Sequence, residues 1–594
     1  MHMSRDLGPS SDQVDHAHSN LEVDSCGRYR WTGRDLALVL LASVASHLYT
    51  GIEYGLRAHT TQLPLVLKLD DPAFYPGDFF VESLQQYCSY FWIAVAGLAK
   101  LASVKWVLVA SHFVSRFLLA AAVFEMTARL APRGPARFMA LAAASLRLRA
   151  VLATEALYSG LPTHTTFAFP CLVWGMLFAW RGRAIVAGLL LGLAFNLNLM
   201  TAAPAALVAA VGFIAGRPRR SSAKAFAGFA VLVLAALPAI LWALRSPSPQ
   251  DPVAYARVIR ETFWWHFDPF AWRGAVWAQF AGLLLMLAVG LAMKPPSALD
   301  RPMLGSLAAI VATWIIAVAA SRVDLLAPLL RFQFARTAAL AVIISVSVAA
   351  SAACAAWERR RPVDLLAIAA LIVGLGLAHG RTTAAVLACA AVAADLRSTR
   401  GILRASRARI PAAACWLALA AALGLFGHMV YRRAPAGEQS GVFVRSAELQ
   451  WLDVQEWIAR NTPPKAMLVG PVHTVGLRVG ARRSLWFGFD YDAMLWRPDL
   501  LPEIHRRHEL LAPTGLADHP VERVDWERLF DLARRVGIDF AVVPASLAQS
   551  QKSAYENTRW AVVPLRPPDG SDKQAPGAAS PPCRLEGTDE EARR

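Results

Sequence analysis

The sequence predicts an all-α polytopic membrane protein carrying a small C-terminal extracytoplasmic α/β domain. Three observations predict it. The 594-residue chain is 56% hydrophobic and only 17% charged, against ~25% charged in soluble domains. Apolar stretches recur from Asp35 to Tyr431, each close to the ~20 residues that cross a hydrocarbon core ~30 Å thick. Beyond Tyr431 that pattern stops, and amphipathic runs alternate with short strand-like ones.

Thirteen spans are expected, near 35–55, 88–104, 106–128, 163–180, 184–200, 202–217, 225–244, 273–293, 303–320, 337–356, 363–378, 382–396 and 411–430. Charge tests the alternation. Loops assigned to the inside carry "WRGR" (180–183), "GRPRRSSAK" (216–224), "ERRRP" (358–362) and "RSTRGILRASRAR" (397–409). Basic residues favour the cytoplasmic side, so the N-terminus is expected inside and the C-terminus outside. The net charge of +17 is therefore a topology signal, and nucleic acid is not an expected partner. The segment 137–158 is apolar but holds Arg147 and Arg149. A charge at mid-bilayer is costly, so this segment is expected to lie as an external interfacial helix.

Residues 1–34 read as a disordered cytoplasmic tail and 567–594 as a second disordered tail, both too polar to build a core. No cleavable signal is apparent, and the first span is expected to act as an uncleaved anchor. The seven Cys are scattered without a CxxC pair, so neither a disulfide framework nor a zinc site is expected. The transmembrane part spans 35–431, with its first external loop at 56–87, and the external domain spans 432–566. In that domain "AELQWLDVQEWIARNTPP" reads as a helix ended by Asn461 and two prolines. "KAMLVGP" and "RRSLWFG" read as strands. "RVDWERLFDLARRVGIDFAVVP" reads as a helix, a Gly537 stop and a strand.

The chemistry concentrates in "HTTQLPLVLKLDDPAFYPGDFFVES" (59–83). Asp70, Asp71 and Asp78 follow Glu53, which sits at the outer end of the first span. A carboxylate there can act as general base on an acceptor hydroxyl or amine, or hold a divalent cation such as Mg or Mn beside a phosphate. The same acids can instead cap turns around Pro72 and "YPG". The 251–272 loop adds His266 and Asp268 among aromatics that also suit an interfacial belt. The 321–340 segment adds Arg322, Arg331 and Arg336. Their forks suit phosphate, and they can equally snorkel to headgroups or pair with Asp324. His164, at the start of a span, and Asn196 and Asn198, within one, read as structural polar residues.

A long acidic loop after the first span, some thirteen spans and an external C-terminal domain resemble the GT-C superfamily of membrane glycosyltransferases. More closely, the loop resembles a bacterial family of GT-C-like membrane proteins with a His-x-x-Gln-x-Pro pattern followed by Asp-Pro-x-x-Tyr-Pro-x-Asp. Here those positions are His59, Gln62, Pro64, Asp71, Pro72, Tyr75, Pro76 and Asp78. "WLDVQEWIARNTPPKAMLVGP" looks like that family's external domain. The resemblance implies transfer of a sugar from a polyprenyl-phosphate donor to an envelope glycan, lipid or protein at the outer face of the bacterial inner membrane. It implies Asp71 or Asp78 as base with Glu53 and Asp70 as competitors. It implies substrate contacts from His59, Gln62 and Tyr75 and a lipid-phosphate site at Arg331 and Arg336, while His266 and Asp268 are read from their own loop as groups for proton transfer or acceptor binding. A lipid-linked glycan transporter, or a non-catalytic envelope-assembly protein, is the alternative class.

Overall fold

The computed structural model describes residues 31–55, 59–131, 134–145, 160–216, 222–247, 249, 251–272, 274–323, 326, 329–330, 332–359, 440–441, 444–445, 449–472, 476–488, 490–518 and 520–566. The expected spans 363–378, 382–396 and 411–430 lie outside the described residues, as do both predicted tails up to Arg30 and from Pro567.

Helix α1 (Gly33–Thr50) opens on a capping box in which Thr32 and Asp35 each accept the other's backbone N–H, and closes at Gly51 with φ +64°. Strand β1 (Ile52–Glu53) follows, then α2 (His59–Asp70), α3 (Phe79–Ser83) and α4 (Tyr90–Ala99). Helix α5 (Val104–Leu130) is the longest, and α6 (Gly134–Ser145) follows it.

Polar ties show which ends meet. Trp31 Nε1 donates to Glu125 at 3.0 Å, and Arg129 and Arg181 reach the same carboxylate at 2.6 and 3.2 Å. Arg137 lies 3.6 Å from Asp35. At the opposite end Arg116 donates to Ser46 and, at 3.1 Å, to Thr50, while His47 stacks on His112. Helix α5 is therefore antiparallel to α1. It starts at the loop end of the bundle and finishes beside Trp31.

Two expectations are corrected by this. The stretch 88–104 is not a span: α4 has 10 residues, about 15 Å of helix, and its turn into α5 stays at the loop end. The described part of the stretch 137–158, residues 137–145, is not an external interfacial helix. Helix α6 starts beside Asp35, at the end of the bundle opposite the loop, and Ser145 donates to Ala42 O at 3.1 Å, midway along α1. One face of its described part is covered by protein: Ala136, Ala140, Leu141 and Ala144 are buried against α1, α5 and the helix at 338–359.

Helices α7 (His164–Trp180), α8 (Ala184–Leu197), α9 (Leu199–Ala215) and α10 (Ser222–Leu244) run back and forth. Helices α8 and α10 nearly touch. A Cβ on Gly188 would lie 2.2 Å from the Gly228 carbonyl oxygen, and one on Gly192 would lie 2.4 Å from Ala235 Cβ. Small residues four apart permit this approach. Asn196 donates across it to Ala235 O at 2.6 Å, and Asn198 bonds Thr165 at 2.7 Å. After α11 (Pro252–Thr262) and α12 (Trp264–Phe267), three long helices complete the described bundle: α13 (Gly274–Met293), α14 (Asp300–Ala320) and α15 (Ala338–Arg359). Five helices among the described residues are long and apolar enough to cross a membrane. The protein is a multi-pass membrane protein.

Strands β2 (Ser440–Gly441) and β3 (Val444–Arg445) form a small sheet with β1, Glu53 standing opposite Arg445. The domain proper has α16 (Leu449–Asn461), β4 (Met467–Val469), α17 (Leu477–Ala481), β5 (Ser484–Leu485), α18 (Leu501–Leu511), α19 (Trp526–Val536), β6 (Phe540–Pro544), β7 (Tyr555–Glu556) and β8 (Trp560–Pro564). Its sheet order is β5-β4-β6-β8-β7, with β4 parallel to β5 and β6 and with β8 antiparallel to β6 and β7. Helix α16 ends at Asn461, and α19 ends at Gly537 with φ +86°. The first loop is part of this domain's core. Leu63, Tyr75, Phe80 and Trp92 pack in one apolar cluster with Phe487, Trp496, Leu529 and Val543. Each fully buried large side chain contributes about 1.5–3 kcal/mol.

Candidate active site

Asp78 is fully buried. It caps α3 by accepting from Val81 N at 3.1 Å. It also accepts from Arg478 Nε at 2.7 Å, Arg478 Nη2 at 3.2 Å and Leu485 N at 2.9 Å. Arg478 reaches on to Asp490 at 2.8 and 3.2 Å, and the Phe80 ring lies 4.6 Å from its guanidinium. Burial alone would lower the Arg478 guanidinium, but the flanking Asp490 and Asp78 hold it above its ordinary value. Asp78 thus spends both oxygens fastening the loop to the C-terminal domain. Tyr75, buried at φ +59°, donates its hydroxyl to Arg478 O at 2.8 Å, so it too faces the domain.

The other acids differ. Asp70 and Asp71 are exposed at the end of α2, and Asp71 accepts from Ala73 N at 2.9 Å in a local turn. Glu53 is 5% exposed at the loop end of α1. Strand pairing with Arg445 and the bond to Gly160 fix its backbone.

A polar cluster gathers where α7 begins. Gln62 Nε2 donates to Tyr87 Oη at 3.0 Å and lies 3.3 Å from His164 Nδ1. The Gln62 carbonyl oxygen is buried with no hydrogen-bond partner among the described residues. Trp92 meets both His59 and His164 edge-on. Trp496 brings the C-terminal domain to the same place, its ring 4.7 Å from Tyr87. Arg336, in the 3₁₀ turn Phe334–Thr337, stands within electrostatic reach of His164. His59 joins the loop to the segment before α7: Nε2 donates to Pro162 O at 2.8 Å, and Nδ1 accepts from Gly55 N at 3.2 Å. Burial pushes His59 down to about 4, against the upward pull of that carbonyl. It is neutral near pH 7, and both nitrogens are engaged.

The 251–272 loop stands partly apart. Asp268 caps a 3₁₀ turn at Phe270 N and lies 3.5 Å from Arg322. His266 lines a cavity of about 10 Å³ with Gln333 and Leu330, the room of one water. Arg331 and Asp324 lie outside the described residues. Among the described residues no three His, Cys, Asp or Glu side chains cluster as a metal site.

The structure therefore brings together Gln62, His59 and Arg336 of the expected residues, with Glu53 at the same end, and turns Asp78 and Tyr75 away. Tyr87, Arg478 and Trp496 were missed by sequence reasoning. Each is a lone residue without motif, and only its long-range partner gives it meaning.

No protein-family model matches the chain, and no curated protein matches it. Solved structures do. It is similar to ArnT from Cupriavidus metallidurans bound to undecaprenyl phosphate, with 14% identity and a TM-score of 0.43 over 90% of this chain and 99% of that one. It is similar to arabinofuranosyltransferase AftD from Mycobacteria, with 17% identity and a TM-score of 0.46 over 87% of this chain and 35% of that one. It is also similar to the archaeal oligosaccharyltransferase AglB from Archaeoglobus fulgidus in complex with an inhibitory peptide and a dolichol-phosphate, with 12% identity and a TM-score of 0.37 over 86% and 69%. The chemistry proposed for this chain rests on its own residues.

Proposed function

We propose that this chain is a membrane glycosyltransferase. It moves a sugar from a polyprenyl-phosphate donor to an envelope glycan, lipid or protein acceptor at the outer face of the bacterial inner membrane. Its N-terminus is cytoplasmic and its C-terminal domain extracytoplasmic, in keeping with Arg129, Arg137 and Arg181 gathering at the Trp31 end and with the positive-inside rule.

One observation carries the reading: a buried carboxylate and a cation occupy the same end of the bundle, beside a cluster of neutral hydrogen-bonding groups. Glu53 is the base. It takes the proton from the acceptor hydroxyl as that oxygen bonds the anomeric carbon. The bond from that carbon to the donor's phosphate oxygen breaks, and the phosphate leaves with the electron pair. Arg336 offsets the charge that develops there. Gln62, Tyr87 and His164 are placed to orient sugar hydroxyls. Asp70 and Asp71, on the exposed rim, are the competing bases.

The test is mass spectrometry of envelope glycans and lipids from four strains: wild type, a deletion, and the deletion complemented with Glu53→Gln or with Asp71→Asn at matched protein level. A glycan lacking one sugar in the deletion and in Glu53→Gln, but complete in Asp71→Asn, is expected. Full restoration by Glu53→Gln would remove it as base.

A further inference from the structure

We infer that the C-terminal domain carries a separate saccharide-binding face built from Trp457, Tyr555 and Asp453. Helix α16 lays Trp451, Val454 and Ile458 on the sheet, and that buried side leaves Asp453 and Trp457, one turn apart, on its shoulder. The edge strand β7 brings Tyr555 to the same shoulder. The Trp457 and Tyr555 rings stack, 5.1 Å between centroids and 22° between planes, and both stay half-exposed. Tyr555 donates its hydroxyl to Asp453, and Asn557 Nδ2 lies 3.2 Å from the same carboxylate. Asn557 also reaches Gln450 O at 2.9 Å. Two polar atoms of neighbouring residues, Trp560 Nε1 and Gln450 Oε1, are buried and have no hydrogen-bond partner among the described residues.

This combination suits a sugar. A pyranose offers an apolar C–H face to an aromatic ring and a rim of hydroxyls to a carboxylate. A nucleic acid would meet the negative charge of Asp453 beside the rings, while Glu456 is paired with Arg460. A protein partner would need apolar area around the rings, since stable interfaces bury ~1,200–2,000 Å². Yet no large aliphatic or aromatic side chain among the described residues of 450–566 is fully exposed. The aromatics stand as a small platform in a polar surface. The inference does not depend on transfer chemistry, because binding alone is read.

The experiment uses the full chain in lipid nanodiscs, with no maltoside detergent present. Saturation-transfer NMR is recorded with maltohexaose, cellohexaose and mannohexaose at millimolar concentration. Transfer to ring C–H protons of at least one hexaose is expected. Trp457→Ala and Tyr555→Ala should each weaken binding about tenfold or more, and Asp453→Asn less, with unfolding midpoints checked for every variant. Trp457→Phe, which keeps a ring, should retain most binding and covers the case in which Trp457→Ala fails to fold. No transfer to any hexaose, or transfer unchanged in Tyr555→Ala, overturns the proposal. So does a Trp457-dependent crosslink to another membrane protein without saccharide binding, which would assign the face to a protein.

Discussion

The bundle and the C-terminal domain face different solvents, and their surfaces differ accordingly. On the bundle Leu244, Phe226 and Ile214 are 76%, 73% and 71% exposed. In the domain the large apolar side chains are buried or half-buried. The same hydrophobic effect sorts both, because exposed leucine is costless in lipid and costly in water. The loop at 56–87 follows a membrane span in sequence but belongs to the domain by packing. It contributes Tyr75 and Phe80 to the domain core and Asp78 to its buried ion pairs.

That assignment can be broken most sharply at Arg478. Arg478→Met leaves Asp78 and Asp490 buried without their cation, which should cost about 3–5 kcal/mol. Limited proteolysis should then cut the loop and the domain together while the helices stay intact. Intact loop protection would detach the loop from the domain. Replacing all three members with apolar residues should restore much of the loss.

A comparable test on the bundle side is Gly188→Leu. Its side chain meets the Gly228 backbone, which cannot swing away, so a loss of about 1–3 kcal/mol is expected, read as a lower unfolding midpoint in nanodiscs. The domain's proteolytic pattern should not change. If it does, the two regions unfold as one unit.

A smaller effect concerns pH at the contact between the loop and the domain. Thr61 Oγ1 donates to Asp492 at 2.8 Å. Burial raises Asp492 from 3.8 to about 6, with the Thr61 bond pulling it down and Asp490 pushing it up. The folded chain then holds a proton that the unfolded chain has lost across that window. Stability from this group is full below about pH 4 and lost as pH rises through about 6. The unfolding free energy of wild type minus that of Asp492→Asn should fall by about 1–3 kcal/mol across that range. A constant difference would mean that Asp492 is solvated like an ordinary acid.

The smallest effect is expected at Asp70, whose exposed side chain belongs to neither core. Asp70→Asn should shift stability by no more than about 0.5 kcal/mol. A larger loss by thermal unfolding would show that the rim of the loop is structural as well.

Part of the site was legible in the sequence and part was not. Glu53 follows from counting residues along the first span, and Gln62 and Arg336 from the loop and its resemblance. Asp71's turn is local chemistry and was readable beside the catalytic alternative. Asp78 was not readable, because Arg478 lies 400 residues away. No local pattern marks which of many arginines will meet it. The span at 88–104 was misplaced for a related reason: hydropathy registers that "YFWIAVAGLA" is apolar, not whether lipid or protein covers it. Residues 137–145 were misplaced because apolar composition does not show which elements, here α1, α5 and α15, cover a segment.

By itself the sequence determined that the chain lives in a membrane, that an α/β domain follows the spans, and where individual helices stop. Those properties follow from composition over some twenty residues and from single turn-forming residues such as Asn461 and Gly537. Only the tertiary structure decided the direction of α5, the start of α6 beside Asp35, and the surroundings of each acid in the loop. Those depend on which distant side chain fills the space beside a group, and burial converts that proximity into an ion pair, a cap or a candidate base.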